Sequence, residues 1–429
     1  MNARVVRCPM ALAVLLALAA NAAPAQVLPF DSVVQNLRHP DPKVRLEALR
    51  LLRDAGYPEA AAPVAAVMTD PLPQVQEEAI LTGLSFFLVE KITTRRRVGG
   101  IVELRSAPIV ENLFNAGPMA TRASPVPAEV IRGALGAMSS PAPRVREQAT
   151  YALGVLAGAP RAPADPALAR AAFDQLMVRL MDPDPAVRVA AALVSGRVTG
   201  LCRSRCAASD ITTLGDGLVT ALNDKALAVK MAIMVALGDL RYERAVRALT
   251  DQFEYYQKGD GARGALFALG RIAHPASLGL FRAHLSDKDE VLRRSAVEGI
   301  ARVGDRAALP DMQAALAAER NVGVILALTY AVQRLGGESM VDRIVAALSQ
   351  ERLRDQAQGY LVELGAPIAP AVAAHLAAGT GEGRVRVAET LGLIGTEAQI
   401  PALQAAAAGR DSKVQVAAAW AIEAIRSRM

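Results

Sequence analysis

The stretch Asp184-Pro185-Ala186-Val187-Arg188-Val189-Ala190-Ala191 returns, with variations, along most of the chain, and that recurrence limits the possible folds severely. Asp184 suits a helix N-cap, because its carboxylate accepts from backbone N–H groups that lack an intrahelical partner. Pro185 suits the first helical position, where a missing N–H costs nothing. Val187, Ala191 and Val194 then share one helical face.

Aligned on the apolar residue three places after the cap, the copies fall at Val44, Val75, Val145, Val187, Val229, Ala262, Leu292, Gly323, Leu353, Val385 and Val414. From Val229 onward the steps are 33, 30, 31, 30, 32 and 29 residues. The next position is basic in eight of the eleven copies: Arg45, Arg146, Arg188, Lys230, Arg263, Arg293, Arg354 and Arg386. Ala stands four places past the anchor in eight, for example Ala48, Ala191 and Ala418. Caps recur at Asp41, Asp289 and Asp411, with Glu382 in place of one, and Gly56, Gly304, Gly365 and Gly395 read as helix ends. A second apolar-periodic segment precedes each anchored helix, so the unit is helix, short turn, helix. One such pair cannot bury its apolar stripe, whereas stacked pairs can. The expected fold is all-α, an α-solenoid of about eleven pairs. With pairs packed about 8–10 Å apart, an open stack makes a curved rod of order 100 Å.

In these residues (Asp-x-x-Val-Arg-x-x-Ala, then Leu-Gly) the chain resembles HEAT-like repeats, in the short form also found in phycobilisome lyases. The resemblance runs from about Asp31 to the C-terminus, insertions apart. It implies the armadillo-like solenoid fold, and it leaves function open, because this architecture carries many unrelated activities.

A leader precedes the repeats. Arg4 and Arg7, the apolar run Ala11–Ala20 and the small-x-small site Ala23-Pro24-Ala25 predict a signal peptide over residues 1–25. The run is too short to span a bilayer. The expectation is an exported protein, periplasmic or extracellular, with residues 26–429 as the mature solenoid and no stable membrane span. The formal charge of +6 falls to +4 without Arg4 and Arg7, mild for this length and a poor argument for nucleic acid.

Between Val75 and Val145 the spacing stretches to 70 residues, and residues 90–127 read as an insertion. Its Arg95, Arg96, Arg97 and Arg105 either meet an acidic partner or make a solvated basic loop. Smaller inserts fall near 158–166 and 197–210. The latter holds Cys202 and Cys206, a disulfide candidate in an oxidising compartment, with free thiols as the alternative. The Phe253-Glu254-Tyr255-Tyr256 cluster offers interface aromatics, although Phe253 and Tyr256 at i, i+3 also fit the core. Trp420, in the final helix, is expected to cover the exposed end of the stack.

Catalytic chemistry is not legible. His39, His274, His284 and His375 show no metal-ligand spacing, and no nucleophile elbow or phosphate-cradling loop occurs. No cofactor is predicted. The recurring acid and base (Asp41/Arg45, Asp184/Arg188, Asp289/Arg293, with Asp411 as a further cap) suit a structural ladder between stacked turns. These readings point to a non-catalytic scaffold that binds a protein along its surface. Two alternatives remain: a lyase-like enzyme or modification chaperone, implied by the family resemblance, and a nucleic-acid-binding solenoid.

Overall fold

A computed structural model describes residues 29–89, 106–202, 206–378 and 381–429. The predicted leader and Arg95, Arg96, Arg97 and Arg105 lie outside the described residues. Among the described residues eleven helix pairs follow one another: α1 (Phe30–Asn36) with α2 (Pro42–Ala55), and α3 (Ala61–Val67) with α4 (Pro73–Ser85). The insertion supplies α5 (Ser106–Ala116). Next come α6 (Ala128–Ala137) and α7 (Pro143–Ala157), α8 (Pro166–Arg179) and α9 (Pro185–Ser195), then α10 (Ala208–Ala221) and α11 (Leu227–Asp239). The array continues with α12 (Val246–Tyr256) and α13 (Gly259–Ile272), α14 (Leu278–Ala283) and α15 (Glu290–Val303), then α16 (Leu309–Ala318) and α17 (Val322–Arg334). It closes with α18 (Val341–Ala347) and α19 (Arg354–Leu364), α20 (Ala369–Ala378) and α21 (Gly381–Ile394), and α22 (Ile400–Ala407) with α23 (Ser412–Arg426). The fold is an α-solenoid.

The helices start where their caps dictate. Asp41, Asp184, Asp289, Asn321 and Asp411 each precede a second helix and accept from its first free N–H groups; Asp165 does the same for α8, a first helix. Glu382 does not cap. It lies inside the first turn of α21 and pairs with Arg354. Behind the caps, the anchors Val75, Val145, Val187, Val229 and Val414 are fully buried. Three anchors are out of register: Gly323 falls one place before the buried Val324, Leu353 is the residue that precedes α19, and Val385 is half-buried while Gly383, Val387 and Ala388 face the core. The helix begins at Gly381, so the basic residue at the repeat's first-turn position is Arg384, not Arg386.

The second helices pack closely on one another and form the inner layer. Small residues make this approach possible. A Cβ on Gly238 would stand 3.0 Å from Cβ of Arg271 and 3.3 Å from Cα of Ala268, on the neighbouring α13.

The solenoid is not an open rod. Trp420 Nε1 donates to the carbonyl of Thr121 at 2.9 Å, joining residues 299 positions apart. Gln358 Nε2 lies 3.5 Å from Met119 Sδ, across 239 positions. The last repeats therefore bend back until they touch the segment that follows α5. Trp420 consequently does not cover the end of the stack. Its ring is buried over Gly392, whose added Cβ would lie 2.3 Å from it, and the outer face of α23 instead exposes Val416, Ala419, Glu423 and Arg426. Among the described residues no single helix is long and apolar enough to cross a membrane.

Candidate functional site

The repeated arginines form a ladder along the turns. Arg146 donates to both oxygens of Asp182, at 2.8 and 2.7 Å, and to the carbonyls of Ser140 and Pro141. Arg188 repeats the pattern with Asp224 and the carbonyls of Asp182 and Pro183. Arg45 does so with Asp70, and Arg293 with Glu319. Each arginine thus ties its own turn to the carboxylate of the next repeat's turn. Asp184 and Asp41 take no part in the rungs. The rung acid stands two residues before the capping position, as Asp182 precedes Asp184, and its own oxygen accepts from the backbone N–H there. Asp289 does both jobs, capping α15 and accepting from Arg263 at 2.8 Å. Burial acts to raise Asp182, Asp224, Asp289 and Glu319. The arginine and backbone hydrogen bonds outweigh it and hold all four below the ordinary carboxylate range.

The inner layer carries a second, buried cluster that the sequence did not reveal. Arg302 of α15 donates to Glu363 of α19 at 2.8 and 3.0 Å and to Glu298 at 3.1 Å. Tyr330 bonds Glu363 at 2.9 Å, and Tyr360 bonds Glu298. The two tyrosine rings stack with centroids 4.4 Å apart. Arg271 of α13 bridges Glu363 and Asp239 of α11. Helices one, two and three repeats apart meet here, so the inner ends of α11 to α19 converge. Burial raises both Tyr330 and Tyr360. Burial also works to raise Glu363, but the Arg302 hydrogen bond and charge hold it low. Every acid and base named here has a partner, which suits a fixed knot more than proton transfer. Among the described residues no group of His, Cys, Asp and Glu could hold a metal ion. His284 and His375 instead pair with single aspartates, Asp287 and Asp342, each at 2.8 Å.

Beside this cluster the insertion packs onto the solenoid. Val110 and Phe114 of α5 are buried, and Phe114 lies 5.4 Å from the Tyr151 ring of α7. The space for it comes from Gly154, whose added Cβ would meet the Phe114 ring at 2.6 Å. Arg197 closes the other side, its guanidinium carbon 4.1 Å from the ring centroid and its Nη1 donating to the Phe114 carbonyl. The chain then returns to the N-terminal repeats: Thr121 and Leu88 form an isolated antiparallel bridge, and Arg122 Nε bonds the Leu88 carbonyl at 2.7 Å. The three inserts join one another as well. Val126 N–H reaches the Arg161 carbonyl, and Asp165 N–H reaches that of Leu201. Cys202 and Cys206 form a disulfide within the third insert, with Cα atoms 5.0 Å apart. Phe253 is buried against His284, while Tyr255 is exposed.

Stacked helix pairs with capped second helices and an inter-repeat arginine ladder define a repeat solenoid. Residues 257–333 match the family model of HEAT repeats, and the helix pairs on either side follow the same helix-turn-helix arrangement. Its structure is similar to that of an engineered protein, at 16% identity, covering 92% of this chain and 98% of that one, with a TM-score of 0.40. It is also similar to the complex of CpcE and CpcF of phycocyanin lyase from Nostoc sp. PCC7120, at 19% identity, covering 59% and 94%, with a TM-score of 0.40. Human deoxyhypusine hydroxylase in complex with glycerol is similar at 20% identity, 61% and 98% coverage and a TM-score of 0.28. None of the curated proteins compared matches the chain.

Proposed function

We propose that this chain is a non-catalytic, exported scaffold that binds a protein partner on the surface of its solenoid. The observation that carries this reading is the internal pairing of the inner face. Arg302, Glu298, Glu363 and both tyrosines satisfy one another. They form a rigid frame and leave no unpaired acid or base in that cluster to work on a substrate. The outer helices, by contrast, expose large apolar groups near their ends, with Met181 79% and Tyr255 76% exposed. Such groups serve as interface anchors. The Arg95–Arg97 run and Arg105 add positive charge for an acidic partner.

The test is crosslinking in the native compartment, followed by identification of captured proteins. A stoichiometric protein, captured less well by an Arg95→Ala/Arg96→Ala/Arg97→Ala variant and at raised salt, supports the reading. Purification with a covalently held chromophore would replace it with the modification-chaperone reading. Steeply salt-dependent DNA retention would replace it with nucleic-acid binding.

A further inference from the structure

At one turn inside the array the ladder keeps its base and loses its acid. The acid of a rung stands five places before the anchor of its repeat, as Asp70 before Val75, Asp182 before Val187 and Asp224 before Val229. Before Ala262 that place belongs to Gln257. The turn there is cut to Gln257 and Lys258, whereas Leu180 to Asp184 separate α8 from α9. Lys230, the rung base of α11, therefore makes no ion pair among the described residues. It stands over the Tyr256 ring instead, with Nζ 5.8 Å from the centroid, and the ring fits there because Gly261 has no Cβ to meet it. Asp224 feels the Lys230 charge, yet both its oxygens are held by Arg188. The ladder resumes at the next step, with Arg263 on Asp289.

The surroundings of Lys230 suit a ligand that brings the acid with it. Three of the chain's seven lysines, Lys225, Lys230 and Lys258, fall on α11 and the two turns beside it, and none of the three has an ion-pair partner among the described residues. Apolar surface lies next to this free charge. Tyr255 is 76% exposed and meets Tyr256 edge-on at 5.0 Å, and Leu227, one helical turn before Lys230, is 43% exposed. Unpaired positive charge beside exposed aromatic and aliphatic groups is complementary to an acidic peptide with an apolar side chain. Glu254 and Asp260 stand beside the patch in the chain, and Asp289 heads the next turn. Those acids keep the patch short and oppose a phosphate chain running along the edge.

We propose that this edge, from Leu227 and Lys230 to Tyr255 and Lys258, docks an acidic peptide segment of a protein partner. A partner carboxylate takes the rung on Lys230, and the apolar side chain next to it lies on Tyr255 and Leu227. This site deepens the scaffold reading and rests on it.

The probes are fluorescein-labelled peptides Gly-Glu-Glu-Z-Glu-Glu-Gly, with Leu, Met, Phe or Trp as Z, offered to the full chain and followed by anisotropy. At least one should bind saturably and dissociate at raised salt, and its counterpart with Gln for Glu should not bind. Lys230→Gln should weaken binding about fivefold, as the loss of one exposed ion pair does. Tyr255→Ala should weaken it about tenfold or more. Arg132→Ala, on the remote α6, should change nothing. Far-UV circular dichroism establishes that each variant keeps its helix content. If the Lys230→Gln chain does not fold, Lys258→Gln removes an exposed charge of the same patch for the same measurement. Failure of all four peptides to bind overturns the docking site. Binding that ignores both Lys230→Gln and Tyr255→Ala also overturns it, because the peptide would then sit elsewhere. A single-stranded thymidine oligonucleotide that binds more tightly than the peptides, through the same two residues, would make the edge a nucleic-acid surface instead. The first two of these failures leave the scaffold reading standing, since that reading falls only if native crosslinking captures no protein.

Discussion

Replacing Arg146 by alanine tests the ladder at its best-formed rung. The Asp182 carboxylate is 2% exposed and the Arg146 side chain 10%. Without the guanidinium, Asp182 keeps only Arg179 at 3.2 Å and the Asp184 N–H, and two turn carbonyls lose their donor. Leaving a buried charge without its main partner costs about 3–5 kcal/mol. The control is Arg132→Ala, which removes an exposed i, i+3 pair with Glu129, 54% and 52% exposed, where about 0.5 kcal/mol or less is expected. Urea unfolding gives the total cost. Hydrogen exchange locates it, because a solenoid opens section by section and the loss should centre on α7 to α9. The double variant Arg146→Met/Asp182→Leu should recover much of the loss, since no buried charge is then stranded. The acid limb follows from Asp182, whose folded pKa lies below its unfolded one. Its contribution is complete above the unfolded value, about 3.9. It is lost as pH falls through the folded one, so the gap between wild type and Arg146→Ala should close in acid. A cost for Arg146→Ala no larger than that of Arg132→Ala would refute the ladder as a source of stability.

The inner cluster predicts that Arg302→Met destabilises by about 3 kcal/mol or more, because Glu298 and Glu363 are left buried together, with faster hydrogen exchange confined to α15 through α19. Adding Glu363→Gln should soften that cost, and no softening would count against the knot. For the Cys202–Cys206 pair, which closes a loop of five residues, conversion of both to serine should cost about 2 kcal/mol at most. A larger loss in thermal unfolding would mean that the third insert holds more of the fold than its contacts suggest.

The repeat itself was legible because cap, anchor and alanine recur at fixed offsets, and each has a local cause in helix chemistry. Legibility failed wherever the cause is non-local. The rung acids Asp70, Asp182 and Asp224 sit next to turn prolines and lysines and look like ordinary turn residues until the following repeat's position is known. The slip at Val385 arose because Val385, Val387, Arg384 and Arg386 offer two equally good alignments, and only packing of Gly383 and Val387 against neighbours selects one. Trp420 was misplaced for the same reason: nothing near it in sequence announces Thr121. The inner cluster depends on curvature, which draws Arg271 and Glu363 together across three repeats. Gly154 was the one local trace of the seat for α5, since it marks close approach, and the approaching groups are Phe114 of the insertion together with Val194 of the neighbouring α9.

Closure of the solenoid onto the chain's own insertion is tested most directly by a thiol crosslink between Met119→Cys and Gln358→Cys, whose native side chains touch at 3.5 Å. A short bis-thiol reagent at low protein concentration should give an intramolecular loop in high yield, with peptides around 119 and 358 joined in the mass spectrum. If both thiols react readily with a monofunctional reagent and yet no such loop forms, the array is an open rod in solution.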